Sequence, residues 1–281
     1  MLDLSHIPNS QQDIQIFYAI SGSNSWQTWQ KPRKCNYVWI MCVGGGGGAQ
    51  GGFTANFISG TPGGPGAITR ILFNSSQLPD SLYVQVGVGG VGGNPTVLGG
   101  VGTRSRVTLQ PTTAVVAQNT VAISGNAAAS SGGVETAATQ ATMTFATLGN
   151  FISVQSPVSP GSDLSPLTST LVTWGANGGS KDTATGTVFP ARSILASSIS
   201  PFISGGISST TTDGSDGNNG ITSWKPFYSL GGTGGGGSLV GFGGNGGNGG
   251  IGSGGGGGGT GQLGGGRGGN GGDGLVIIIS F

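Results

Sequence analysis

Between residues 231 and 274, 29 of 44 positions are glycine. The block includes Gly243-Gly244-Asn245-Gly246-Gly247-Asn248-Gly249-Gly250, an unbroken Gly254–Gly259, and Gly264-Gly265-Gly266-Arg267-Gly268-Gly269-Asn270-Gly271-Gly272. Glycine loses more conformational freedom on folding than any other residue, so such a block orders only if many interactions offset that loss. Three readings compete. A flexible linker is the ordinary fate of a Gly/Ser tract, yet this tract is followed only by the apolar run Leu275–Phe281. A phosphate cradle needs Gly, then Lys, then Ser or Thr. Gly178-Gly179-Ser180-Lys181-Asp182 lacks that order, and Gly-x-Gly-x-x-Gly recurs here by composition alone. The third reading is a stack of polyproline-II-like strands, three residues per turn, whose bare backbones approach closely and exchange N–H···O=C bonds. The stack is the expected arrangement. Ser238-Leu239-Val240, Phe242, Ile251, Gln262-Leu263 and Arg267 then fall at turns or lattice edges.

The rest of the chain reads as β structure. Tyr37–Val43 and Leu275–Phe281 are β-branched, apolar runs. Their matching character suggests that they pair and unite the two ends of the chain in one sheet. Asp13–Ile20, Ala67–Phe73, Leu82–Val88 and Arg106–Leu109 are further strand candidates, and Pro32 blocks a central strand at the basic turn 31–34. Residues 111–230 are rich in Ser, Thr and Ala, with weak helix candidates at Ala127–Ala129 and Val134–Thr139. Trp174 and Trp224–Tyr228 are the large side chains available to anchor them. The expectation is an all-β chain: a small β-sandwich with glycine-rich loops and a polyglycine-II-like strand bundle. Its parts are an N-terminal segment at 1–25, to which the resemblance below assigns attachment, a β-rich domain at 26–110, an insertion or loop region at 111–230, and the polyglycine block with its closing strand at 231–281.

Composition removes several functions. Lys plus Arg is 10 and Asp plus Glu is 9, for a net charge of +1. That is no footprint for a nucleic-acid backbone. No apolar run reaches the roughly 20 residues of a membrane span, and the N-terminus lacks the basic and apolar regions of a secretory signal. Glycine without a strict triplet period is not collagen. Catalytic material is sparse, and no enzyme, cofactor or metal is expected. His6 is the sole histidine, no Gly-x-Ser-x-Gly elbow occurs, and the nine carboxylates are dispersed. Asp213–Gly220 superficially suggests a calcium loop, but Trp224 stands where an EF-hand carries Glu; a plain turn is the expectation. Cys35 and Cys42 are too few for a disulfide framework or a Cys-rich zinc site, and either pair or stay free.

The chain resembles the glycine-rich domain of bacteriophage tail-fibre, adhesin and other virion proteins. The motifs that carry the resemblance are Trp29-Gln30-Lys31-Pro32 before a strand and Gly run, Gly63-Gly64-Pro65-Gly66-Ala67, Val84–Gly93, and Gly271–Ile278 at the close. They cover roughly 26–110 and 231–281. The resemblance implies polyglycine-II helices packed at a fibre tip, with loops between them touching a host receptor.

On that resemblance the expected protein is a virion structural protein of a phage-like virus: a tail-fibre tip, knob or spike on the outer surface, made in the host cytoplasm. A homotrimer is expected, joined to other virion proteins through the N-terminal segment and contacting a host-surface glycan or protein. Trp224, Phe227, Tyr228, Phe242 and Arg267 are the receptor-contact candidates. A capsid spike or decoration protein without receptor binding is one alternative. A cellular ice- or surface-binding protein is another, and a flexible wall component a third.

Overall fold

The computed structural model describes residues 13–20, 25–114, 119–125, 151–155 (backbone only), 172–173, 175–195 and 201–281. The helix candidates at 127–129 and 134–139, residues 1–12 and 21–24 of the N-terminal segment, His6, Glu135, Asp163 and Trp174 lie outside them.

The described chain is all-β and has two parts. The first is a sandwich of two antiparallel sheets. One sheet runs β1 (Asp13–Tyr18), β13 (Leu275–Ser280), β3 (Tyr37–Val43), β4 (Ile68–Asn74), β8 (Phe151–Gln155). The other runs β2 (Trp26–Gln30), β5 (Ser81–Gln85), β6 (Arg106–Thr108), β7 (Thr120–Ile123). β13 lies between β1 and β3, with Ile278 opposite Ile40 and Val276 opposite Cys42. The runs at Tyr37–Val43 and Leu275–Ser280 therefore do pair, as their matching character suggested. All six β13 residues are buried, because both faces of the sheet are covered. Val276 and Ile278 join Trp29, Ile40, Phe73, Leu82 and Val107 between the sheets. Leu275, Ile277 and Ile279 pack on the other face with Met41, Ile68 and Val172.

The second part grows out of the sandwich where β3 ends and β13 begins. Runs 44–52, 60–66, 86–94, 97–105, 175–179, 203–209, 213–221, 230–238, 242–251, 253–261 and 264–274 are extended yet lie outside named strands. Their hydrogen bonds recur at every third residue. The N–H groups of Gly46, Ala49 and Gly52 donate to the carbonyls of Gly272, Gly269 and Gly266 at 2.8, 2.9 and 2.7 Å. A three-residue step is the repeat of a polyproline-II strand, so these runs form a polyglycine-II lattice.

Run 253–261 sits in the middle of it. Three consecutive N–H groups, those of Gly254, Gly255 and Gly256, donate to three different neighbours, at Thr173, Gly47 and Gly247. The three carbonyls accept from three more, at Gly232, Gly63 and Gly269. Six neighbours leave no room for a side chain on any side. A Cβ at Gly256 would overlap the Thr233 carbonyl oxygen, and one at Gly254 the Gly63 oxygen. This explains the unbroken Gly254–Gly259. Gly44–Gly48 and Gly234–Gly237 lie in the other two interior runs, 44–52 and 230–238, for the same reason. Hydroxyls that enter this interior are bonded: Thr233 Oγ1 donates to Ser204 O at 2.9 Å and Ser253 Oγ to Ser229 O at 2.9 Å.

The lattice reaches beyond 231–274. Residues 175–179, 203–209 and 213–221, in the Ser/Thr-rich middle, are part of it. Asp213–Gly220 is accordingly an extended lattice run and not a turn. Ser238 is fully buried and not at a lattice edge, its Oγ donating to Thr212 O at 2.6 Å.

Candidate functional site

Outer runs carry a non-glycine residue at every third position, on the side that has no neighbour. Many of these residues are Asp or Asn followed by Gly. The Oδ1 atoms of Asp213, Asp216 and Asn219 accept from the N–H groups of Phe242, Asn245 and Asn248 at 2.7, 2.7 and 2.8 Å. Asn245 and Asn248 do the same for Arg267 and Asn270 at 2.8 and 2.9 Å. Asn270 and Asp273 then take the N–H groups of Gly92 and Gly89 at 2.7 and 2.8 Å. The glycine after each Asp or Asn donates back to the neighbouring run, as Gly246 does to Arg267 O at 2.8 Å. One Asx-Gly pair thus clasps the next run with two hydrogen bonds. The result is an exposed, polar, regular face with a repeat of about 9 Å along each run. The carboxylates of Asp213 and Asp216 each use an oxygen on backbone N–H groups of this ladder.

The runs reverse at an end remote from the sandwich, in turns at 53–59, 94–96, 183–186, 209–212, 239–241 and 262–263. These turns are tied together. Phe57 N–H donates to Lys181 O, Leu239 N–H to Ser209 O, and Leu263 N–H to Gly241 O, at 2.9, 3.1 and 3.1 Å. Turn 183–186 closes a hairpin of β9 (Ser180–Asp182) and β10 (Thr187–Phe189). Asp182 holds this turn, accepting from Ala184 N–H at 3.0 Å and Thr185 Oγ1 at 2.6 Å. The hydrogen bond from Thr185, helped by backbone N–H groups, lowers the Asp182 pKa. Lys181 is buried beneath the hairpin and donates through Nζ to Gln262 Oε1 at 2.6 Å. Desolvation lowers its pKa.

Large apolar side chains stand exposed on these turns, Phe57 at 62% and Leu263 at 65% with Ile58 and Val240, and beside them, Phe242 at 53% at the start of its run and Phe189 at the end of β10. Phe57 and Phe189 pair at 5.9 Å between ring centroids. Clustered exposed apolar residues mark an interaction surface; others stand along the outer runs, at Val91, Val101 and Ile207, and at the sandwich end, at Ile14, Ile16 and Tyr18.

The five receptor-contact candidates do not lie together. Phe242 is on the distal turns, its ring against Gly264. Arg267 is exposed in the middle of the polar ladder. Trp224 and Phe227 belong to the hairpin of β11 (Thr222–Trp224) and β12 (Phe227–Ser229), at the sandwich end. There Trp224 contacts Tyr18 and Phe227, with centroids 6.4 and 5.6 Å apart. Phe227 is half-buried against the sheet cluster of Leu275 and Ile277. Tyr228 is buried with Ile194 and Leu230. Sequence reasoning passed over Phe57, Ile58 and Phe189, and placed Val240 and Leu263 at turns or lattice edges without reading them as contacts. The signal shared by Phe57-Ile58, Val240 and Leu263 is large apolar side chains in a turn-forming break between Gly runs.

The model of the glycine-rich domain family matches residues 21–280. No curated protein matches the chain. The chain belongs to the glycine-rich domain family.

Proposed function

We propose that this member of the glycine-rich domain family is a non-catalytic virion protein of a phage-like virus, displayed as a tail-fibre tip, knob or spike, whose distal turns attach to a host-surface glycan or protein. The observation that carries this reading is the set of exposed Phe57 and Leu263 on the distal turns, with Phe189 and Phe242 beside them, held by the lattice. Rigid presentation lowers the ordering cost of binding, and buried aromatic anchors dominate contact energies. At the other end, edge strand β1 exposes Ile14, Ile16 and Tyr18, which supports assembly, as a homotrimer with other virion proteins, through the sandwich end.

The test is adsorption of the purified protein to a panel of bacterial cells, and competition with phage infection. Phe57→Ser with Leu263→Ser is expected to abolish adsorption while the fold persists. Adsorption that ignores these changes, or its absence on every cell type that the phage infects, overturns the attachment role and leaves the decoration-protein reading. The regular ladder of Asp and Asn favours a second reading, binding to a regular surface such as ice. Thermal hysteresis in dilute solution is its signature.

A further inference from the structure

The chain has five Asn-Gly pairs, at Asn177, Asn219, Asn245, Asn248 and Asn270. Such pairs are chemically labile. The glycine nitrogen attacks the asparagine Cγ, its proton passes to solvent, and the Cγ–Nδ2 bond breaks, the side-chain nitrogen leaving as ammonia. Water then opens the succinimide at one of its two carbonyls, giving aspartate or isoaspartate. The reaction needs a free carboxamide and a glycine N–H released from its acceptor. All five asparagines are exposed, so solvent access does not distinguish them.

Tethering does. Four carboxamides are fixed through Oδ1 by a neighbouring run's N–H: Asn219 by Asn248, Asn245 by Arg267, Asn248 by Asn270, and Asn270 by Gly92, at 2.8, 2.8, 2.9 and 2.7 Å. Among the described residues no group hydrogen-bonds the Asn177 side chain. The glycine N–H groups follow the same order. Those of Gly220, Gly246, Gly249 and Gly271 donate at 2.7 to 2.8 Å, and that of Gly178 donates to Gly60 O at 3.2 Å.

We infer that Asn177 is the site at which the folded protein undergoes spontaneous deamidation, and that the Asx ladder shields the other four pairs. The product matters structurally. Isoaspartate adds a carbon to the backbone, which breaks a three-residue repeat. At Gly178 the lattice has no slack, since a Cβ there would already overlap Gly258. Run 175–179 leads directly into β9 and the distal hairpin, so modification at Asn177 loosens that end first.

The experiment is incubation of the folded full-length chain at mildly alkaline pH, with peptide mapping by mass spectrometry over time. The same chain in concentrated urea supplies each site's intrinsic rate. Asn94, followed by Pro95, lacks the attacking N–H and is an internal reference. In urea the five pairs are expected to convert at similar rates. In the folded chain Asn177 is expected to lead each of the other four by about two- to tenfold, the effect of one further hydrogen bond to break. Folded-state conversion at any ladder asparagine that matches or outpaces Asn177, after division by the urea rates, overturns the inference.

Discussion

Asn245 holds Arg267 by its main chain: Oδ1 accepts the Arg267 N–H at 2.8 Å, and the adjoining Gly246 N–H donates to the Arg267 carbonyl at 2.8 Å. The charged side chain takes no part in this clasp, so the arginine's identity matters little to the lattice and the asparagine's matters a good deal. Asn248→Ala, which removes one such oxygen, is expected to lower stability by about 0.5–1.5 kcal/mol. Asn248→Asp keeps the acceptor and is expected to stay within about 0.5 kcal/mol of the parent. Urea unfolding of the two variants separates these outcomes.

Interior and peripheral glycines differ in what a methyl group meets. At Gly256 it meets the Thr233 backbone, which cannot turn aside. Gly256→Ala is expected to cost about 3 kcal/mol or more. At Gly100 the nearest atom would be 3.4 Å away, at Val91 N. Gly100→Ala is expected to be neutral or to stabilise by about 0.4–1 kcal/mol, through the unfolded chain. Equal loss at both sites would rule out the close-packed interior.

Acid acts on the distal hairpin through Asp182. Its folded pKa is lowered, chiefly by the Thr185 hydroxyl. The stabilisation is therefore full above the ordinary aspartate pKa of about 3.9, and is lost as pH falls through the lower folded value. Amide exchange at residues 183–186 is expected to quicken over that acid range in the parent. Asp182→Asn is expected to remove the pH dependence.

The two thiols are free and unequal. Cys42 is fully buried between the sheets, and desolvation raises its pKa. Cys35 is half-buried beside Pro32 O at 3.2 Å. A maleimide is expected to label Cys35 alone in the folded protein and both thiols in denaturant, because the thiolate is the reactive form. Rapid labelling of Cys42 in buffer would contradict the closed sandwich.

The strands and the lattice were legible to different degrees. β3 and β13 announce themselves because burial on both faces demands continuous apolar runs. Gly44–Gly48 and Gly254–Gly259 announce a crowded interior. Residues 203–209 and 213–221 were harder to read, because an outer run needs glycine only where it faces a neighbour. Gly214, Gly217 and Gly220 keep the three-residue spacing, but Ser, Asp and Asn between them look like turn composition. The distal turns were harder still. Which reversals share an end depends on counting every run in order, and an aromatic cluster such as Trp224–Tyr228 gives no hint that it lies at the opposite pole from Phe242.

The lattice interior is made of peptide groups. Unfolding the sandwich exposes apolar surface and raises the heat capacity, whereas exposing peptide groups lowers it, by about 0.26 cal/K/mol per Å². The two halves of the molecule thus contribute with opposite sign. Calorimetry is expected to give an unfolding heat capacity well under the usual 12–15 cal/mol/K per residue. A flatter stability curve means that chilling, which weakens apolar cores, removes comparatively little from this fold.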